Sequence, residues 1–171
     1  MQLDTLTVKF QKRGLKLDIV LLSIALYLSK LIITIGLIIY LNLASTVDIN
    51  LSDAFNSNLD KDYSIIKLLY AIITSPIFET IIFFHITHWI SRKIKISMKL
   101  FIIISAIAFS IPHALVLGGG SFQIYYILYS FIGGLIFAHN YNRQYYKYNV
   151  NYALGSTTVI HIIGNALVLY L

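Results

Sequence analysis

SPIFETIIFFHITHWI, residues 75–90, carries Glu79, the only glutamate in a chain whose other six carboxylates are all aspartates. The residues around it are almost all apolar, so this acid stands inside a run that otherwise reads as a membrane-spanning helix. What holds a carboxylate there, and what it does, organises the rest of the reading.

The chain has 171 residues, of which 58% are hydrophobic and 12% charged. An ordinary soluble domain has roughly 25% charged residues, and the mean hydropathy here is +0.78. This is the composition of a membrane protein. With no cysteine in the chain, disulfides, thiol nucleophiles, zinc–thiolate sites and iron–sulfur clusters are excluded. The formal charge of +6 does not point to nucleic acid, because the basic residues sit in short segments flanking apolar runs, where membrane topology accounts for them.

A bilayer span needs about 20 mostly apolar residues, and five runs meet that length: 17–43, 64–90, 100–117, 122–140 and 152–171. Each must be a helix, since backbone polar groups in lipid have to be satisfied internally. The expected fold is therefore all-α, a polytopic membrane helical bundle of about five transmembrane helices forming one integral membrane domain over 1–171. The first run follows Lys9, Lys12, Arg13 and Lys16. Its apolar stretch is longer than a cleavable signal allows, so it reads as a retained span. Basic residues recur at Arg92, Lys93, Lys95 and Lys99 and at Arg143 and Lys147, while the 44–63 loop holds Asp48, Asp53, Asp60 and Asp62 against Lys61. The positive-inside rule then puts the N-terminus in the cytoplasm and the C-terminus outside, with GGGS at 118–121 as a tight outer turn. The tyrosines of YNRQYYKYNVNY read as an interfacial belt.

Depth follows from the helical rise. Glu79 stands roughly 22 Å from the outer end of its run and about 16 Å from the inner end, His113 about 20 Å and His161 about 14 Å from the inner ends of theirs. Three ionisable side chains on three helices share one depth, and intramembrane charge normally faces the bundle interior or a water-filled cavity. On the last helix His161 and Asn165 are four apart and share a face, with Gly164 between them to admit another helix. Phe109 precedes His113 by one turn, and Pro112 removes a backbone donor beside it.

A glutamate, two histidines and an asparagine in lipid suit hydrolysis by activated water. A carboxylate in low dielectric takes a proton from water while His and Asn donate to the developing oxyanion. Alternatively Glu79, His113 and His161 hold a divalent metal such as zinc that acidifies the water. Both mechanisms stay open at this level.

These residues resemble the CPBP intramembrane proteases, the CaaX protease and bacteriocin-processing or Abi family, whose pattern is EExxxR, then FxxxH, then HxxxN or HxxxD on successive helices. FSIPH, Phe109 to His113, and HIIGN, His161 to Asn165, match the second and third motifs. ETIIFF keeps Glu79 but has Thr80 for the second glutamate and Phe84 for the arginine. The resemblance covers 64–171 as a four-helix core, with 1–43 as a basic N-terminus and an added span. It implies an endopeptidase in which Glu79 and His113 activate water and His161 and Asn165 bind the oxyanion. The substrate would be a membrane-associated peptide or protein, and the resemblance and small size imply a bacterial cytoplasmic membrane. The altered first motif also leaves a second reading, a non-catalytic CPBP-like membrane protein of bacteriocin immunity or regulation.

Other features read as structural. There is no HExxH, and Asp18 lies at the edge of its span. Ser156, five residues before His161, lacks a facing element for a serine dyad. His85 and His88 at i and i+3 could supply two metal ligands but lie near a cytoplasmic end, as does His139. Lys30 snorkels or meets a polar group in the bundle, and Ser130 with Gly134 forms a small-xxx-small packing surface. Because the chain has no cysteine, single thiols test the topology directly. Asn56→Cys in intact cells should react with a membrane-impermeant maleimide and Lys95→Cys should not, and the opposite labelling pattern overturns the orientation.

Overall fold

The computed structural model describes residues 2–44, 68–116 and 122–168. Five helices follow one another: α1 (Gln2–Ala44), α2 (Tyr70–Lys93), α3 (Met98–Val116), α4 (Phe122–Lys147) and α5 (Val150–Val168). The described residues are helical and contain no strand. The acidic loop and the GGGS turn lie outside the described residues. Two stretches, Lys16–Gly36 in α1 and Tyr70–Lys93, are long and apolar enough to cross a membrane, and Met98–His113 is a shorter apolar helix. The fourth and fifth runs carry more polar residues: Asn140, Asn142, Arg143 and Gln144 on α4, and Ser156, Thr157 and His161 on α5.

Helix α2 is not a uniform α-helix. Wider π turns at Tyr70–Thr74 and Thr80–Ile86 flank a short α segment, Ser75–Glu79, that begins with Pro76. Proline has no N–H, and its ring clashes with the carbonyl four residues earlier, so a widened turn just ahead accommodates it. The wider turns also set which side chains face inward. Pro76, Thr80, Phe84 and His88 are all buried, a spacing of four. A pure α-helix, at about 3.6 residues per turn, drifts off that line, whereas interleaved π turns hold it. The α2–α3 turn ends with Lys95 at φ 57°, where the Ile96 N–H bonds the Ser91 carbonyl and the Lys95 N–H the Arg92 carbonyl. That is a Schellman closure with lysine where glycine is usual.

Helix α4 lies at the centre and touches every other helix. Its Phe137, Ala138 and Tyr141 join Leu26 of α1, Phe84 of α2, Phe101 and Phe109 of α3, and Ala153 and Ile160 of α5 in one buried core. A polar ladder runs beside it. Asn140 Nδ2 donates to Ser156 Oγ at 3.0 Å and Thr157 Oγ1 at 2.9 Å, Gln144 Nε2 donates to Asp18 Oδ2 at 3.2 Å, and Asp18 pairs with Arg143 at 3.1 Å. Asp18, expected at the edge of its span, is thus the anchor that ties α1 to α4. Ser156 belongs to this ladder, in keeping with its reading as structural. Lys30 is buried in the bundle rather than extended to the surface, and His139 is exposed. The tyrosine belt divides: Tyr146 and Tyr152 are exposed, but Tyr141 is fully buried because its ring fills the core beneath His85 and His88.

The surface of the bundle is rich in apolar side chains: Ile32, Phe78, Ile94 and Ile111 are exposed, while Ser, Thr, Asn, Gln and His side chains share the interior with the aromatic core.

At the α3–α4 crossing the helices meet with no room for a side chain. A Cβ on Gly134 would stand 2.8 Å from Ala106 Cα, as the small-residue spacing with buried Ser130 led us to expect. Gly134→Val should therefore force the helices apart and sharply lower the yield of monodisperse protein on size exclusion in detergent. Gly155→Ala, where nothing lies within 4 Å, should be neutral or raise thermal stability by about 0.5–1 kcal/mol, the helix-interior cost of glycine.

Candidate functional site

Three helices bring their ionisable side chains to one point. Glu79 of α2 has its Oε2 3.3 Å from His161 Nε2 of α5 and 3.7 Å from His113 Nε2 of α3. Its other oxygen is held from within α2, where the Ser75 hydroxyl, four residues earlier, donates to Oε1. Oε2 is buried and has no hydrogen-bond partner. The carboxylate thus has one oxygen fixed and one uncommitted between two imidazoles.

Each imidazole is set by its surroundings. His113 Nδ1 lies 2.7 Å from the Phe109 carbonyl, which can only accept, so Nδ1 carries the proton and a neutral His113 turns its Nε2 lone pair toward Glu79. His161 stacks on Phe137, with centroids 4.5 Å apart, and meets the edge of Phe109 at 5.3 Å. It is 1% exposed and its Nδ1 has no partner. The His113 side chain, by contrast, is 31% exposed.

Asn165, expected among the converging residues, is committed elsewhere. Its Nδ2 donates to the Ala71 carbonyl at 2.9 Å. The cause lies in α2: in the first π turn the Ser75 N–H bonds Tyr70 rather than Ala71, and the next donor in that wider ladder falls on Pro76, which has none. The orphaned carbonyl needs a partner, and Asn165 supplies it, locking α5 to α2 beside the carboxylate.

The positions where the first motif departs from the CPBP pattern are both fully buried. Thr80 Oγ1 has no hydrogen-bond partner. The Phe84 ring packs on Phe109 at 5.6 Å and Phe137 at 5.8 Å, the same rings that hold His161. An aromatic floor thus stands at the position the CPBP pattern gives to arginine.

The residues do not form a metal cage. Among the described residues no group of three or more His, Cys, Asp or Glu is arranged to hold a metal ion: both Nε2 atoms address one carboxylate oxygen, and the other oxygen is taken by Ser75. His85 and His88 likewise add no third ligand. His88 is buried among the rings of Phe101, Tyr141, Tyr145 and Tyr146, while His85 Nδ1 lies 2.7 Å from the Tyr141 hydroxyl.

Sequence reading did not single out Ser75 or Phe137. Serine four residues before a buried helical acid is a local signal available without coordinates; Phe137 carries no such signal, since it reads as ordinary core. No family model, curated protein or solved structure matches the chain.

The burial of Phe84 makes its replacement diagnostic. Phe84→Arg places a charge among aromatic rings with no carboxylate beyond Glu79 at hand, and an unpaired buried charge costs several kcal/mol. Folded yield in detergent should collapse, whereas Phe84→Leu should retain most of it. Normal yield for Phe84→Arg would mean that the site has room for the missing arginine.

Proposed function

We propose that the chain is a five-span bundle of a bacterial cytoplasmic membrane, N-terminus inside, acting as a CPBP-like intramembrane endopeptidase on a membrane-associated peptide or protein. The apolar surface supports the membrane reading, because so much exposed isoleucine and leucine needs lipid around it. The observation that carries the chemistry is the uncommitted Glu79 Oε2 between the Nε2 atoms of His113 and His161.

In the mechanism that follows, Ser75 holds Oε1 and aims the carboxylate. Oε2 accepts a proton from a water admitted on the His113 side, and the water oxygen attacks the peptide carbonyl. His113, its tautomer set by Phe109, is the second acceptor beside Glu79. His161, rigid on Phe137, faces the developing oxyanion, with Asn165 keeping α5 in register rather than giving both of its N–H groups. Collapse of the tetrahedral intermediate returns the proton to the leaving amine. A zinc-type mechanism has less support here, since the donors point at one oxygen instead of enclosing an ion.

One observation favours the non-catalytic reading, in which the same bundle binds a partner for bacteriocin immunity or regulation. Thr80 and Phe84 are integrated into the core, so Glu79 has a hydroxyl for its support in place of a second acid and an arginine.

Phenotype against membrane abundance separates the two. Glu79→Gln keeps shape and removes the base, and should lower processing of a co-expressed membrane-anchored peptide by about 100-fold or more, as should His113→Ala. Ser75→Ala should cost less, about 10-fold. If both Glu79→Gln and His113→Ala reach normal abundance and leave processing or immunity intact, the protein is not a peptidase and the binding role stands.

A further inference from the structure

A second site lies away from Glu79, at the basic end of α2. A cavity of about 490 Å³ opens there, lined chiefly by His85, His88, Trp89, Arg92, Lys93 and Tyr145, and among the described residues no carboxylate lines it. Its two cations are held by neutral groups. Arg92 Nη1 donates to the Tyr145 hydroxyl, and the guanidinium carbon lies 5.3 Å from the centre of the same ring. Lys93 Nζ sits 3.7 Å over the Trp89 ring. The two carboxylates among the described side chains are engaged elsewhere, Asp18 with Arg143 and Glu79 with the histidines. Arg92 and Lys93 are therefore positioned but not neutralised, as a site for an anion requires.

The floor of the cavity is formed by imidazole and phenol rings. His88 is 3% exposed, with Nε2 lacking a partner. His85 leans on Tyr141, whose phenol burial pushes up and keeps as a neutral O–H. The cavity opens beside an apolar helix face: Trp89 of its lining is 53% exposed, and Ile86 and Ile90, its neighbours on α2, are 43% and 44% exposed. A fixed guanidinium and an ammonium above an aromatic floor, opening onto an apolar helix face, match a ligand with an anionic head and a hydrocarbon tail.

We propose that this cavity binds the phosphate of an anionic phospholipid, its acyl chains lying along Ile86 and Ile90. The proposal rests on the membrane reading but not on peptidase activity. Basic pockets between helices on the cytoplasmic side suit such head groups, and the apolar helix face beside it favours a lipid phosphate over a free one.

The test uses the full chain purified in an uncharged maltoside, with lipid retention read by native mass spectrometry. Phosphatidylglycerol should be retained about ten-fold or more over phosphatidylcholine. Arg92→Ala/Lys93→Ala should abolish that preference, and Lys99→Ala, an exposed lysine outside the lining, should keep it. Arg92→Gln, which preserves side-chain length, serves as a milder second variant should the double change impair folding, and is expected to lose most of the preference. Equal retention of the two lipids, or wild-type selectivity in either Arg92 variant, overturns the proposal. Displacement of phosphatidylglycerol by inorganic phosphate at equal concentration reassigns the site to free phosphate and overturns the lipid assignment. A chain that stays monomeric in buffer without detergent would instead sink the membrane reading itself, and lost lipid selectivity with detergent-dependent solubility sinks this proposal alone.

Discussion

A carboxylate within an apolar helix is sheltered by the fold around it, and Glu79 lies against side chains from three helices at once. Ser75 holds it from its own helix, His161 approaches from α5 and His113 from α3. These contacts set the rotation of α2 and the depth at which α3 and α5 cross it, because a buried charge without partners costs several kcal/mol. The same requirement operates at Asp18, which fastens α1 through Gln144 and Arg143. Polar contacts choose the register of this bundle, and aromatic packing fills it.

The two prolines of the chain, Pro76 and Pro112, both stand within one turn of a site residue, and their consequences differ. Pro76 widens α2 and strands the Ala71 carbonyl, and the repair by Asn165 turns a backbone defect into an interhelical clamp. Pro112 lies beside His113, whose Nδ1 is anchored on Phe109. Phe109 and Phe137 in turn hold both histidines and Phe84. Phe84, one turn beyond Thr80, is part of this aromatic floor, and the hydrogen bond that orients Glu79 comes from the Ser75 hydroxyl.

The two candidate sites differ in electrostatic design. Around Glu79 one acid faces two imidazoles across 3.3 and 3.7 Å. At the far end of α2, Arg92 and Lys93 lean on Tyr145 and Trp89, so the charge is placed without being cancelled. One helix thus carries a carboxylate between two imidazoles at mid-length and two cations on aromatic rings at its end.

Much of this was legible without coordinates. Apolar run lengths specify helices, helical rise puts Glu79, His113 and His161 at one depth, and their proximity follows from the cost of leaving any of them alone. The small-residue spacing at Ser130 and Gly134 also forecast the close crossing, since a missing side chain is a local fact that any neighbour can exploit. Partner choice was not legible. That Asn165 donates to the Ala71 carbonyl, that Thr80, Phe84 and His88 face inward in steps of four, and that Asp18 and Tyr141 are interior depended on π turns in α2 and on the rotation of each helix about its axis. Periodicity describes one helix at a time, whereas a hydrogen bond between helices requires two rotations and one translation to agree, and only the packed bundle decides those.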